Sequence, residues 1–356
     1  MDVARYFKLG VLAGVRAVGG FAIARWLSSH QLRILCYHGG CIGDERLYNP
    51  RLFCTAAHVR SRLAWLTRKS FTPMALADAV SGLRKGRISE RLPVVVTIDD
   101  GWFSSRRDVI EPCLSSGYPV ALYVATQVAK HRTPVLDVTV NYILWRVGRN
   151  RVDISGLPAL TSGSYDLADA ETRQHVHDAV IGWLRGLAQQ PAEISAALEQ
   201  FATAIGLAPD ALDLQSRRFD YLDTEELRAI ALQGCAIELH GHEHRYPVGQ
   251  PARLRADILA CREFLTSIGL PKPLHYCYPS GEFDDHAESV FEELGIASGT
   301  TCLPGLVNPK SPGSLGYLPR FLDSESVTDL EFEAEMSGFL EFVRYLAKRG
   351  AAKAPG

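Results

Sequence analysis

Short apolar runs recur along the chain and alternate with stretches of helical period. The runs are RILCY (33–37), PVVVTI (93–98), PVALYVA (119–125), CAIEL (235–239), LHYCY (274–278), GIASGT (295–300) and LGYLPRFL (315–322). Brief runs with little polar alternation suit strands buried on both faces. Between most of them, apolar residues recur three and four apart near 56–68, 74–84, 104–116, 224–233, 251–268 and 284–294, with a last such segment at 327–348. In one of these, Asp223 with Glu226 reads as a capping box and Gly234 as a helix stop. Strand alternating with helix predicts parallel βαβ units. About seven units suit a closed TIM-like (β/α) barrel better than an open sheet.

The rhythm breaks between about 137 and 215, where two or three helical patterns flank the polar stretch SGLPALTSGSYD. This predicts a helical insertion between barrel strands, a place where substrate shape is read. The expected organisation is therefore an N-terminal amphipathic helical segment over 1–30, a seven-stranded α/β barrel over 31–325 carrying that insertion, and a C-terminal helix and tail over 326–356.

Composition changes this picture mainly by exclusion. Of 356 residues, 47% are hydrophobic and 22% charged, enough apolar material for a sizeable core. A net charge of -2 without Lys/Arg blocks or a recognisable binding signature argues against a nucleic-acid partner. The eight cysteines are scattered with no C-x-x-C pair, so buried free thiols in a reducing compartment are expected rather than a zinc knuckle or disulfide framework.

The opening stretch is apolar, yet Arg16 interrupts it before the roughly 20 residues a spanning helix needs. LGVLAGV resembles a signal-peptide core and Ala22-Ile23-Ala24 a cleavage site, but Arg16 lies between them and disfavours that reading. Arg5, Lys8 and Arg16 share a helical face, so residues 1–27 are expected either to contact a membrane surface or to pack on the barrel.

Two strand ends carry chemistry. PVVVTI runs directly into Asp99 and Asp100, whose repulsion is costly unless something positive sits between them. CAIEL runs into HGHEH, where His240 and His244 lie on one face whether the segment is helical or extended. A divalent metal held by both histidines and one carboxylate leaves open positions for water and offsets the aspartate repulsion; the second carboxylate is free to act as a base. Two more stretches end on the same predicted face. LCYHGG places His38 after the first strand, and YCYPSGEFD places Pro279, Ser280 and Gly281 in a turn whose N–H groups could meet an oxyanion.

TIDDGW, HGHEH and YPSGEFD, in that order, resemble the central motifs of the polysaccharide deacetylases, the NodB-homology or carbohydrate esterase family four, over roughly 90–325. That family is a distorted (β/α) barrel that uses zinc or another divalent metal to hydrolyse N-acetyl, sometimes O-acetyl, groups on sugars. The resemblance implies Asp99 as catalytic base and Asp100, His240 and His244 as metal ligands. It implies that a water activated at the metal attacks the acetyl carbonyl, with a backbone N–H near Ser280 holding the oxyanion. Residues 300–356 contain no histidine to serve as the usual late acid. Tyr37-His38 instead matches the permuted branch of the family, whose acid follows an early strand, and His38 is the expected acid. The arginine that opens the third motif in many relatives is Cys277 here, so Arg320 in YLPRF is the candidate tether for the base. A second frame, His242 with Tyr246, loses a ligand and is not preferred.

The expected activity is metal-dependent de-N-acetylation of a sugar in a polysaccharide or glycan precursor, with Zn2+ favoured over Co2+, Ni2+ or Mn2+. O-acetyl ester or small-amide hydrolysis at the same site is one alternative, and a silent glycan-binding barrel another. The cysteines and basic start favour work in the cytoplasm at a membrane surface, with a periplasmic or secreted location left open.

Overall fold

The computed structural model describes residues 3–129, 134–187 and 190–351. Residues 1–2 of the expected N-terminal segment, 188–189 of the insertion and the expected tail after 351 lie outside the described residues. One parallel sheet contains β1 (Arg33–Tyr37), β2 (Thr72–Pro73), β3 (Pro93–Ile98), β4 (Val120–Val124), β5 (Ala236–Leu239), β6 (His275–Cys277), β7 (Ser298–Thr300) and β8 (Phe321–Leu322). Neighbours run β7-β6-β5-β4-β3-β1-β8, and β2 pairs with β3 off that path. A parallel bridge between Thr300 and Leu318 joins β7 to the segment leading into β8. The seven-stranded path thus curls back on itself as a distorted barrel.

The last run, 315–322, is less regular than its apolar content suggests. Only Phe321–Leu322 is strand, and Leu315–Tyr317 is a 3-10 turn. Pro319 interrupts the run, because it has no N–H to give the ladder.

Every residue of β1, β3 and β4 is buried, as their apolar runs require. Strand period two divides these residues between two cores. Leu35, Val94, Val96, Leu122 and Val124 join the apolar residues of the surrounding helices. Ile34, Val95, Ala121, Tyr123 and Cys277 form a separate cluster with Leu76, Val80 and Leu83 of helix Leu76–Arg84. Continuing that inner alternation along β3 brings Thr97 and then Asp99 onto the same side.

Beside the start of β6, buried Glu238 of β5 accepts hydrogen bonds from the Leu274 and His275 N–H groups, both at 2.8 Å. Burial raises its pKa to about 7, against the lowering effect of those bonds. Since the unfolded chain releases this proton near pH 4.3, Glu238 destabilises the fold increasingly as pH rises from there to about 7. Glu238→Gln is expected to melt like wild type at pH 4 and to gain roughly 3 kcal/mol by pH 7.5. Melting curves across that range test it, and a constant offset would refute it.

Between β4 and β5 the chain adds helix Leu136–Val147, an antiparallel hairpin of Arg151–Ile154 with Gly163–Asp166, and helices Ala170–Gly186 and Pro191–Ala204. They share a core that also takes in Phe53 and Trp102 from the barrel side. The hairpin is absent from the sequence-based reading because its alternation is short: Val152 and Ile154 alternate with polar residues for four positions only, and the partner strand carries one large apolar side chain, Tyr165.

The N-terminal segment is two helices, Val3–Ala17 and Gly20–Leu27, bent by 77° at Gly19, whose φ of 79° suits glycine. No single described helix is long and apolar enough to cross a membrane. Leu12 and Phe21 pack on Ala334, and the basic face turns onto helix Asp329–Met336. Lys8 meets Glu331 at 3.0 Å and Arg16 meets Glu333 at 2.9 Å. Buried Arg33 donates to Ser28 O, Gln31 O and Met336 O, tying both chain ends to the start of β1. A second break at Gly338, φ 83°, divides the expected final helix into Asp329–Met336 and Phe339–Ala351.

Candidate active site

The turn after β3 explains why two aspartates can sit side by side. Asp100 and Gly101 both take left-handed backbone, φ 73° and 81°, a conformation that Asp tolerates and Gly favours. The reversal leaves Asp99 beside the inner face and aims Asp100 at the loop after β5. Both carboxylates are buried.

Asp99 is gripped from across the barrel. Arg320, fully buried, donates from Nη1 to Oδ1 at 2.7 Å and from Nη2 to Oδ2 at 2.8 Å. Its remaining donors go to Thr301 O and Thr97 Oγ1. Cys277, at the position where the motif resemblance would expect arginine, donates its thiol to Asp99 Oδ2 at 3.4 Å and accepts from Arg320 Nη2 at 3.1 Å. Arg320 therefore occupies the tether position, and a small thiol at 277 completes the contact. Burial works to raise the Asp99 pKa, but Arg320, with His38 and His240 nearby, holds it well below the usual carboxylate range. Asp99 stays ionised at neutral pH.

Asp100 Oδ1 lies 3.0 Å from His240 Nε2 and 3.0 Å from His244 Nε2. The three residues offer donor atoms that all lie within 4.8 Å of one another. His240 Nδ1 lies 3.0 Å from Cys277 O. A carbonyl only accepts, so Nδ1 carries the proton and the Nε2 lone pair of the neutral ring points at Asp100. Two lone pairs at 3.0 Å require a cation or an extra proton between them, so this donor set fits a divalent metal. The group energetics agree. Burial lowers the His240 pKa, yet Cys277, Asp100 and Asp99 together raise it well above its ordinary value. Asp100, despite burial, is held far below its ordinary value by His244 and His240.

The backbone that presents the histidines is held from below. Asp257, on helix Pro251–Ser267, accepts from His242 N at 2.9 Å and Glu243 N at 3.0 Å. A Cβ on Gly241 would fall 2.9 Å from the Asp257 carboxylate, and Gly241 itself has φ 76°. His244 also has positive φ, 53°, a position that other bonds must maintain. Asp257→Ala is expected to weaken metal binding 10–100-fold, the range for loss of outer-shell support. Chelator competition followed by metal analysis checks this, and unchanged affinity would contradict it.

The alternative His242–Tyr246 frame does not assemble. His242 Nδ1 pairs with Thr126 Oγ1, and Tyr246 donates to Asp284. Glu243 is exposed and pairs with Arg253.

His38 lies beside the other aspartate, with Nε2 3.8 Å from Asp99 Oδ2. Trp102 flanks it, and Gly39 follows because a Cβ there would meet Trp102 and Phe53 within 2.7 Å. Pro279, Ser280 and Gly281 form a one-turn 3-10 helix after β6, with Ser280 at φ 56°. Pro279 packs over Gly241, which brings this turn beside the histidine loop. Gly281 and Glu282 donate to Tyr278 O and Pro279 O, whereas the Ser280 N–H has no acceptor among the described residues.

Cys36, whose thiol reaches Asp99 Oδ2 at 3.4 Å, and Asp257 are the contributors that sequence reasoning missed. Neither has a local signature; only the parity of Cys36 within its strand pointed inward. The insertion aromatics Tyr142, Trp145, Tyr165 and Trp183 pack in or against the insertion core. All eight cysteines are free thiols, seven of them buried.

Residues 195–299 match the profile of the polysaccharide deacetylase family, a span that contains His240, His244 and the 279–281 turn. It is shorter than the motif resemblance; Asp99 and Asp100 lie beyond the insertion. No curated protein matches the chain. Among solved structures, a Streptococcus pyogenes deacetylase, PplD, in complex with acetate aligns over 86% of this chain and 99% of its own, with TM-score 0.56 and 11% identity. IcaB from Ammonifex degensii aligns over 86% and 97%, with TM-score 0.51 and 14% identity. The putative polysaccharide deacetylase BA0330 from Bacillus anthracis aligns over 86% and 69%, with TM-score 0.51 and 13% identity.

Proposed function

We propose that this chain belongs to the polysaccharide deacetylase family and is a metal-dependent hydrolase that removes N-acetyl groups from a sugar within a glycan or glycan precursor. The observation that carries this reading is the pairing of Asp100, His240 and His244 with a second carboxylate, Asp99, held ionised by Arg320. A binding module has no use for a buried, anchored base beside its ligands, which weighs against the silent-barrel alternative.

Asp100 Oδ1, His240 Nε2 and His244 Nε2 would hold the metal, with Zn2+ suited to this donor set and Co2+, Ni2+ and Mn2+ as alternatives. Such an ion supplies Lewis acidity, making water nucleophilic near neutral pH and polarising a carbonyl. Asp99 accepts the proton that the attacking water gives up. Arg320 fixes both carboxylate oxygens, so Asp99 is positioned without reorganisation. The Ser280 N–H donates to the developing oxyanion. His38, beside Asp99, delivers a proton to the departing amine nitrogen, which must leave neutral. The role of His38 follows the permuted branch, and the free thiols favour a cytoplasmic setting.

The test is acetate release from a panel of acetylated glycans by purified protein. Stripping the metal with a chelator is expected to abolish release and Zn2+ to restore it; His38→Ala should cost about 10²–10⁴ on the same substrate. Metal binding with no acetate from any N-acetyl sugar, alongside turnover of an O-acetyl ester or simple amide, would replace this reading with that alternative.

A further inference from the structure

We propose that the flank built from helices Val3–Ala17, Gly20–Leu27 and Phe339–Ala351 docks on an anionic lipid bilayer through its apolar side. The three helices turn outward residues that a protein core would normally cover. Phe7 and Val11 lie in one stripe of the first helix, and Val18, just past its end, is 81% exposed. Ile23, Trp26 and Leu27 share a face of the second, with Trp26 68% exposed. Phe342, Tyr345 and Leu346 do the same on the third, each more than half exposed.

The second and third helices touch through Phe21 and Phe339, whose ring centroids are 5.5 Å apart, so these stripes belong to one side of the molecule. Isolated exposed apolar residues need no explanation, but three adjacent helices with outward apolar stripes do.

Two further observations choose lipid over a protein partner. The bent pair Ala4–Ala17 and Gly20–Leu27 has, by length and composition, the apolar character of a membrane segment. Residues 3–27 also hold Arg5, Lys8, Arg16 and Arg25 and no acid, although the whole chain has net charge -2. Two copies of this surface would repel, whereas anionic headgroups complement it. Exposed Trp26 and Tyr345 combine an apolar body with a polar tip, which suits the headgroup boundary. The basic side chains are partly engaged by Glu331 and Glu333. Apolar insertion is therefore the main attachment, and charge attracts at longer range.

Position links this surface to the site. Arg5 donates to Ser326 O at 2.8 Å, just beyond β8, at the barrel end that carries Asp99. The flank runs from the start of β1, where Arg33 meets Ser28 O and Met336 O, to the segment beyond β8, so a bilayer there lies along the side of the barrel; the matching substrate is an acetylated sugar on a membrane anchor, a clause that rests on the deacetylase reading above.

Vesicle co-sedimentation of the full chain tests the docking. Phosphatidylcholine vesicles containing phosphatidylglycerol should pull down the protein, and Trp26→Glu and Leu346→Glu should each weaken binding about tenfold. The same variants should slow acetate release from N-acetylglucosamine on a lipid anchor in those vesicles while leaving a soluble acetylated sugar unaffected. Failure to sediment would overturn the proposal, as would concentration-dependent dimerisation relieved by the same variants. Vesicle binding without acetate from either substrate would leave docking standing and remove the deacetylase reading.

Discussion

Asp99→Asn is expected to lower acetate release about 10²–10⁴-fold while the protein still binds metal, because the change removes the proposed base and leaves Asp100, His240 and His244 in place. Asparagine keeps the shape of the side chain and one oxygen for Arg320. It cannot take a proton from water at neutral pH. The substitution also leaves the buried guanidinium without its counter-charge, so the melting temperature should fall although Thr301 O, Thr97 Oγ1 and Cys277 Sγ still accept from it. Kinetics and metal content should therefore be read on the same folded sample. Activity within tenfold of wild type at full metal occupancy would show that another group is the base.

Arg320→Met should act mainly on stability. It leaves a carboxylate that is 2% exposed with two thiols and His38 as its remaining close partners, and breaking such a buried pair from one side costs about 3–5 kcal/mol. Proton linkage sets the pH at which the loss shows. In wild type the depressed Asp99 pKa stabilises the fold above the unfolded pKa near 3.9, and that stabilisation disappears as pH falls through the folded pKa. The variant should thus differ most from wild type at neutral pH and least in strong acid. Any surviving activity should have its acid limb moved to higher pH, since only the weaker pull of His38 and His240 then holds the Asp99 proton affinity down. The double variant Asp99→Asn with Arg320→Met should recover much of the stability and none of the activity. A single Arg320→Met variant as stable as wild type at pH 7 would remove the tether from this account.

The strands and the residues of the candidate metal site were legible because their signals are local. Buried parallel strands are apolar runs, and the carboxylates and histidines stand where those runs stop. The Asp223–Glu226 capping box was readable for the same reason and forms as expected. Arg320 became a candidate only after Cys277 was seen to vacate the usual position. Cys36 and Asp257 were not legible as parts of the site, because their contacts cross 63 residues to Asp99 and 15 residues to the His242 N–H. The hairpin at 151–166 was hidden by the shortness of its alternation, and the breaks at Gly19 and Gly338 depend on backbone conformations that helical periodicity does not record. The family profile covers 195–299 only, which leaves the Asp-Asp turn to be joined to the histidines by geometry.

The way β8 closes the barrel bears on how the protein comes into being. Leu35 and Cys36 of β1 pair with Phe321 and Leu322, nearly the whole chain apart in sequence. Contacts so distant are slow to form, because the loop entropy is lost before the contact returns anything. Arg320 immediately precedes that last strand, so Asp99 acquires its counter-charge only when the ends of the chain meet. Until then Asp99, at the end of β3, lacks the guanidinium that holds both of its oxygens. Refolding should therefore show secondary structure arriving well before activity, with the slow phase belonging to ring closure.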